Sequence, residues 1–393
     1  MPASCAEQGT CVGSSARSRE EEARERVCDR LAVTRLLKDE ARWAGPVGAN
    51  VVWGLRNNVA VLYVVEQGAV LRKTGDRFLI EKDDSVVASV PALKIEQVVI
   101  FGNVQLTTPA IVYMLKNGID TVFLSVSGSY YGRLLSSASK LGELRQRHLR
   151  LVDDAAKALE VAQTIVAAKL HNSRTLLQRT QRDHPHPDLT AAIETLGALE
   201  ERAGRTTRIS SLVGVEGQGS AVYFGGFRHV LLHDLGFRGR VRRPPTDPVN
   251  VLLSFGYTLL TYGIQSAVET VGLDPYVGFL HAPGYSRPAL VLDLMEEFRA
   301  VIVDSVVFRL INARIVTEDD FELTPDDPER PIVLKDGGRR RFLTAYEERV
   351  QMKVTDRRSG EQVTMRRLWE LQARQIARLA MGEQAMYEPW RIR

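Results

Sequence analysis

The chain has 393 residues, 44% of them hydrophobic and 25% charged. That composition excludes a small disulfide-stapled scaffold and wholesale disorder, and leaves room for two or three domains. Lys and Arg total 52 against 48 Asp and Glu, a net charge of +4, too slight to establish a polyanionic partner unless the positive charge is clustered.

Residues 1–57 read as an extension. A small, polar start is followed by a mixed-charge run of helical spacing that ends at Gly45-Pro46, consistent with a single mobile helix. Cys5, Cys11 and Cys28 all fall here. Their spacing matches no compact metal-ligand pattern, and their confinement to this stretch excludes a thiol nucleophile in the folded part. The N-terminus is polar and no apolar run approaches about 18 residues, so a soluble cytoplasmic protein with no membrane partner is expected.

From Val59 the pattern changes to period two and β-branched residues: VAVLYVVEQG, AVLRKTGD, RFLIEKDD, SVVASVPALKIEQVVIFG, DTVFLSVSG and YYGRLLS. These predict short strands closed by Gly, Asp and Asn turns. TTPAIVYMLKNGI interrupts them as a helix with Pro109 in its first turn and Gly118 at its end. A β-rich domain over residues 58–138 results. After Ser139 long helical patterns take over, which places a boundary near 138 and an α-helical domain over 139–393. Within it, FELTPDDPERPIVLKDGGRRRFLT reads as a polar loop or hairpin carrying Arg339, Arg340 and Arg341.

Three places can carry chemistry. In SLVGVEGQGSAVYF, Glu216 stands among Gly214, Gly217 and Gly219 just ahead of an apolar, helical run. Glycine permits close backbone approach and a helix start favours phosphate, so a carboxylate there could hold a metal against a phosphodiester; an ordinary loop is the plainer alternative. In GFLHAPGYSRP, His281 enters a Gly/Pro loop that leads into the most acidic amphipathic helix, LVLDLMEEFRAVIVDSVVFRL. At 100° per residue Val291, Leu294, Met295, Phe298 and Ile302 share an apolar face, and Asp293, Glu296, Glu297 and Asp304 fall opposite, as a solvated face would. That arithmetic leaves Glu296 and Glu297 equivalent. Glu216, His281 and one carboxylate of the 293–297 turn would make an oxygen and nitrogen set suited to Mg²⁺ or Mn²⁺ and to phosphoryl transfer.

Basic residues do cluster. Residues 140–182 hold nine Lys or Arg against four Asp or Glu, and Arg238, Arg240, Arg242 and Arg243 form a second patch. Both suit a nucleic-acid backbone, and each alone would equally suit a solvated face. Arg287 and Arg299 flank the acidic turn and could neutralise phosphates.

LYVVEQGAVL, VEGQGSAVYF, NVLLSFGYTLL and, above all, GFLH followed by RPALVLDLMEEFR resemble the CRISPR-associated integrases of the Cas-one family, from about Leu62 to the C-terminus. The resemblance implies an α+β protein, with an N-terminal β-rich domain that dimerises and an α-helical C-terminal catalytic domain; residues 1–57 have no place in that pattern. It implies Glu216, His281 and Glu296 as the metal-binding catalytic set, choosing Glu296 over Glu297, with Asp293 as a nearby carboxylate. It further implies two homodimers bridged by a dimer of a small Cas-two partner, together holding a DNA duplex. The expected activity is CRISPR adaptation: strand transfer of the 3′-hydroxyl of a captured DNA fragment into repeat DNA. A metal-dependent, structure-selective DNA endonuclease is the nearest alternative, and a non-catalytic DNA-binding scaffold the third.

Overall fold

The computed structural model describes residues 51–53, 60–134, 142–281 and 287–392. Most of the stretch read as an extension, with its three cysteines, lies outside these residues. The sheet nevertheless begins inside that stretch. Val51–Trp53 is a β-branched and aromatic run, and it forms β1, antiparallel to β2 (Ala60–Val64) with Val52 opposite Tyr63.

The chain continues through β3 (Val70–Thr74), β4 (Arg77–Lys82), β5 (Ser85–Pro91), β6 (Ile95–Phe101), β7 (Gln105–Leu106), α1 (Thr108–Lys116), β8 (Asp120–Leu124) and β9 (Tyr130–Leu134). Asp83 and Asp84 both adopt positive φ (48° and 58°), the conformation of a two-residue turn whose twist matches the strands it joins. One sheet has the order β1-β2-β6-β8-β9, with β2, β6 and β8 parallel; a second has the order β5-β4-β3-β7. Helix α1 lies between β6 and β8, as a parallel crossover requires.

The central strands are apolar on both faces because both faces are covered. Leu62, Val64, Val98 and Ile100 pack against Leu71, Phe78 and Ile80 of the second sheet and Met114 of α1. The alternate residues Val61, Tyr63, Val99 and Phe101 join the core of the helical part. Tyr63 donates to Glu347 Oε1 at 2.6 Å across this junction, and the Phe101 ring lies 5.9 Å from that of Phe255.

The rest of the chain is mostly helical: α2 (Gly142–Asp153), α3 (Ala155–Asp183), α4 (Pro187–Ala203), α5 (Ile209–Phe227), α6 (Pro248–Val271), α7 (Ala289–Met295), α8 (Ser305–Asn312), α9 (Asp336–Val350) and α10 (Met365–Met381). The long helical run after Ser139 divides at Asp154, whose carboxylate accepts from the Ala156 and Lys157 N–H groups and so caps α3. Two short hairpins, β10 (Phe321–Leu323) with β11 (Ile332–Leu334) and β12 (Lys353–Thr355) with β13 (Gln362–Thr364), interrupt the helices. The polar stretch around 321–344 is thus a hairpin in its first part, while Arg339, Arg340 and Arg341 belong to α9. Helix α6 is long and apolar enough to cross a membrane, but 67% of its most apolar window is buried inside the protein, which accounts for its composition.

Candidate active site

Glu216 lies within α5 itself, not ahead of a helix as the glycine spacing suggested. Of those glycines only Gly219 marks a close approach, since a Cβ there would overlap Leu170 of α3, as one at Gly226 further along would lie 3.1 Å from Leu177; among the described residues, Gly214 and Gly217 have nothing within 4 Å of such a Cβ. Close approach of α5 and α3 brings Glu216 Oε1 into an ion pair with Lys169 Nζ. The Ser220 hydroxyl, one turn on, donates to the same oxygen at 2.9 Å.

The acidic helix departs furthest from its sequence pattern. Asp293, Glu296, Glu297 and Asp304 are all buried, not solvated. α7 ends at Met295, and residues 299–304 form a π-helical turn, so the 100° spacing that put the carboxylates on one outer face does not hold past α7. Glu296 and Glu297 consequently point into different surroundings. Glu297 accepts from Trp390 N at 2.8 Å, Gln372 Nε2 at 3.0 Å and the Tyr387 hydroxyl, and it fixes the C-terminal segment. Glu296 instead turns toward Glu216, its Oε2 lying 2.7 Å from Lys169 Nζ and 3.0 Å from Arg299 Nε. That oxygen is buried and, among the described residues, has no hydrogen bond of good geometry, so Lys169 and Arg299 hold it by charge. Burial pushes the Glu296 carboxyl up, but Arg299, Lys169 and, more weakly, His281 outweigh burial and hold it down at about 2.

His281 is aimed by Asp293. Asp293 Oδ2 accepts from Phe279 N (2.6 Å) and Leu280 N (3.1 Å); Oδ1 accepts from His281 N (3.1 Å) and pairs with His281 Nδ1 at 2.6 Å. This occupies Nδ1 and leaves Nε2 as the imidazole's remaining nitrogen, the arrangement in which a carboxylate orients a metal-ligating histidine. Gly278 is required for it. A Cβ there would sit 2.7 Å from Asp293 Oδ2 and 2.8 Å from Leu290 N, backbone and buried carboxylate that cannot move aside.

Beside the two glutamates is a cleft whose walls include Lys169, Ser220, Tyr223, Arg240, Arg242 and Arg299. Arg299 lies over the Tyr257 ring, 4.8 Å from its centroid, and Arg240 over the same ring at 5.5 Å. Arg240 also bonds Asn250 Oδ1 and Ser254 Oγ, at 2.8 and 3.0 Å. Of the basic residues singled out from the sequence, Arg240, Arg242 and Arg299 meet in this cleft; Arg243 and Arg287 are exposed and do not line it. Lys169, Tyr223, Tyr257 and Asp304 were missed as site residues. Lys169 carried the one available signal, a single charge within the apolar run IVAAKLHN.

Asp304 forms the floor, accepting from the Tyr223 and Tyr257 hydroxyls at 2.7 and 2.6 Å. Burial pushes its carboxyl up to about 6, despite those hydrogen bonds and the nearby arginines. A folded-state value above the unfolded one means that Asp304 contributes stability below about pH 4, and that this is lost as pH rises through about 6. Asp304→Asn should therefore flatten the pH dependence of thermal unfolding. We expect the wild type to lose, relative to the variant, on the order of 3 kcal/mol between pH 4 and pH 8. A wild-type-minus-variant difference constant across that range would contradict the assignment.

A separate group lies at the N-terminus of α4 and just beyond α5: potential ligand atoms of His186, Asp188 and His229 fall within 4.8 Å of one another. Arg228 already occupies part of it, its Nε bonding His229 Nε2 at 3.0 Å.

An α+β protein whose helical part pairs two glutamates through one lysine beside an arginine-lined cleft, and elsewhere aims a histidine with a buried aspartate, is the class that fold and site define. In fold it is similar to a chain of the solved Cas6-RT-Cas1–Cas2 complex, with a TM-score of 0.73 and 26% identity over 86% of this chain and 37% of that one. The family model described as CRISPR associated protein Cas1 matches residues 62–348. The sequence is 38% identical to a CRISPR-associated endonuclease Cas1 of Thermus thermophilus over 84% of this chain and 99% of that protein. A CRISPR-associated endonuclease Cas1 of Chlorobaculum tepidum is 33% identical over 86% of this chain and 100% of its own. The chain belongs to the Cas1 family, as the resemblance of its motifs implied.

Proposed function

We propose that this chain is a metal-dependent DNA strand-transfer enzyme of CRISPR adaptation, with Glu216, His281 and Glu296 as ligands of one Mg²⁺ or Mn²⁺ ion and Asp293 as the residue that aims His281. The observation that carries the reading is the pair of glutamates from two separate segments turned toward one lysine. Two carboxylates and an imidazole suit the donor preferences of these ions, and Glu296 Oε2, buried without a good hydrogen bond, suits a cation ligand.

A bound ion would supply Lewis-acid polarisation of a phosphodiester at the repeat edge. Arg240, Arg242 and Arg299 take up phosphate oxygens in the adjoining cleft and hold the backbone in register. Asp293 fixes the His281 ring through Nδ1, so that Nε2 would be the nitrogen offered to an ion. In the reaction the 3′-hydroxyl oxygen of the captured fragment bonds to phosphorus, and the repeat strand's 3′-oxygen leaves with a proton. No bond energy is lost in that exchange, so no nucleotide hydrolysis is required.

The β-rich part, residues 58–138, would serve dimerisation, and residues 139–393 would carry catalysis. The name of the solved Cas6-RT-Cas1–Cas2 complex supports a Cas2 partner; that a small Cas2 dimer bridges two homodimers of this chain on a DNA duplex, in the cytoplasm, is proposed from the family resemblance alone. The relatives' name, endonuclease, keeps hydrolysis as the second reading, since the same ligands could direct water instead of a 3′-hydroxyl. The test is a labelled duplex incubated with a repeat plasmid, Mn²⁺ and the Cas2 partner. Joined strands that disappear with EDTA support the proposal; free ends alone support the nuclease, and metal-independent binding without strand chemistry supports a scaffold.

A further inference from the structure

Lys169 is placed where an ordinary surface lysine is not. Its side chain is 10% exposed, and it rises from the stretch of α3 that buries Val166, Ala167, Ala168 and Leu170. Its ammonium lies between two carboxylates contributed by different segments, Glu216 Oε1 and Glu296 Oε2. Arg299 supplies the second positive charge, so two cations balance two anions.

Any cation shared by Glu216 and Glu296 must lie between them, which is the place of the ammonium. If a divalent ion entered and Lys169 stayed, a nearly buried cluster would carry two uncompensated positive charges, an arrangement that low dielectric makes costly. One cation has to leave. Arg299 is pinned over the Tyr257 ring and drawn also by Asp304, whereas Lys169 ends a flexible four-carbon stem. Lys169 also has somewhere to go, because it lines the cleft that Arg240 and Arg242 line.

We infer that Lys169 is an internal counter-ion that holds the two glutamates together, competes with the divalent cation for their oxygens, and on displacement turns its ammonium into the cleft as a phosphate contact. This rests on the proposed metal site and adds a regulatory property to it: cation binding and DNA-backbone binding are coupled through one side chain. Such coupling would keep the carboxylates from repelling DNA before the ion arrives, and would add a positive charge to the cleft when it does.

The test is Mn²⁺ titration of the full chain without DNA, followed by the electron paramagnetic resonance of free Mn²⁺, for wild type, Lys169→Met, Lys169→Arg and Glu216→Ala. Removing the competitor should tighten Mn²⁺ binding about tenfold in Lys169→Met. Lys169→Arg, whose planar fork grips two carboxylates more firmly, should bind Mn²⁺ more weakly than wild type. Mn²⁺ should raise wild-type affinity for a labelled duplex, and Lys169→Met should lose most of that gain. Unchanged or weaker Mn²⁺ binding by Lys169→Met overturns the inference. If Lys169→Met does not fold, Mn²⁺ binding by Lys169→Arg at wild-type strength or tighter overturns it equally. Loss of Mn²⁺ binding in Glu216→Ala, together with either result, confines the failure to Lys169; wild-type binding in Glu216→Ala overturns the metal site and this inference together.

Discussion

Glu216→Ala and Glu296→Ala should each reduce strand transfer by about a thousandfold or more, while duplex binding at low salt persists. On the proposed mechanism each would remove a ligand oxygen of the ion that polarises the phosphate, whereas the arginines of the cleft, which would supply most of the backbone attraction, remain. The two variants should differ in stability. Glu296 is buried against both Lys169 and Arg299, so its loss leaves Arg299 without its carboxylate and Lys169 with Glu216 alone, and should cost on the order of 3 kcal/mol. Glu216 is more exposed and, among the described residues, its ion pair is with Lys169, which keeps Glu296, so its removal should cost less. Glu296→Gln, which keeps the shape, separates lost chemistry from lost folding. Strand transfer at wild-type rate in either alanine variant would remove the residue from the site.

Asp293→Asn should lower Mn²⁺ affinity and strand transfer together, each by about 10- to 100-fold, the usual consequence of disturbing the carboxylate behind a ligating histidine. Asp293 accepts four hydrogen bonds, three from consecutive backbone N–H groups and one from the His281 ring. An amide cannot reproduce them, because its NH₂ group would face donors on one side. With the NH₂ on the Oδ1 side, the His281 N–H and the imidazole lose their shared acceptor; on the Oδ2 side, the N–H groups of Phe279 and Leu280 lose theirs. Gly278→Ala approaches the same failure from the backbone, since its Cβ would press on Asp293 Oδ2. Matching Mn²⁺ affinities for Asp293→Asn and wild type would show that Asp293 only supports the loop.

Much of this was legible in the sequence, and the exceptions have identifiable causes. Every strand run read between Val59 and Leu134 forms a strand, because β-branched residues bounded by turn residues define strands locally. β1 escaped because three residues ahead of the main run carry too little pattern. Glu216 was noticed for its glycines, but those same glycines hid the helix around it; the one packing reason among them, the close approach of Leu170 to Gly219, lies more than 40 positions away. The acidic helix misled for a related reason. Periodicity assumes a uniform 3.6-residue turn, and the interruption after Met295 and the π turn at 299–304 broke that assumption where the site is built. Only motif resemblance chose Glu296 over Glu297; the structure places them apart, one facing Lys169 and the other tied to the C-terminal segment. Lys169 was read as part of a basic run on a helix, although its place as the single formal charge in the apolar run IVAAKLHN was a local sign that it turns inward.

The claim on which the mechanism depends is that Glu216, His281 and Glu296 share one divalent ion. Crystals soaked in Mn²⁺ and measured at a wavelength where manganese scatters anomalously would test it directly. The account predicts one strong peak about 2.0–2.6 Å from an oxygen of Glu216, an oxygen of Glu296 and Nε2 of His281, with the Lys169 ammonium displaced toward the cleft. A peak confined to His186, Asp188 and His229, or no peak between the two glutamates at saturating Mn²⁺, would contradict it.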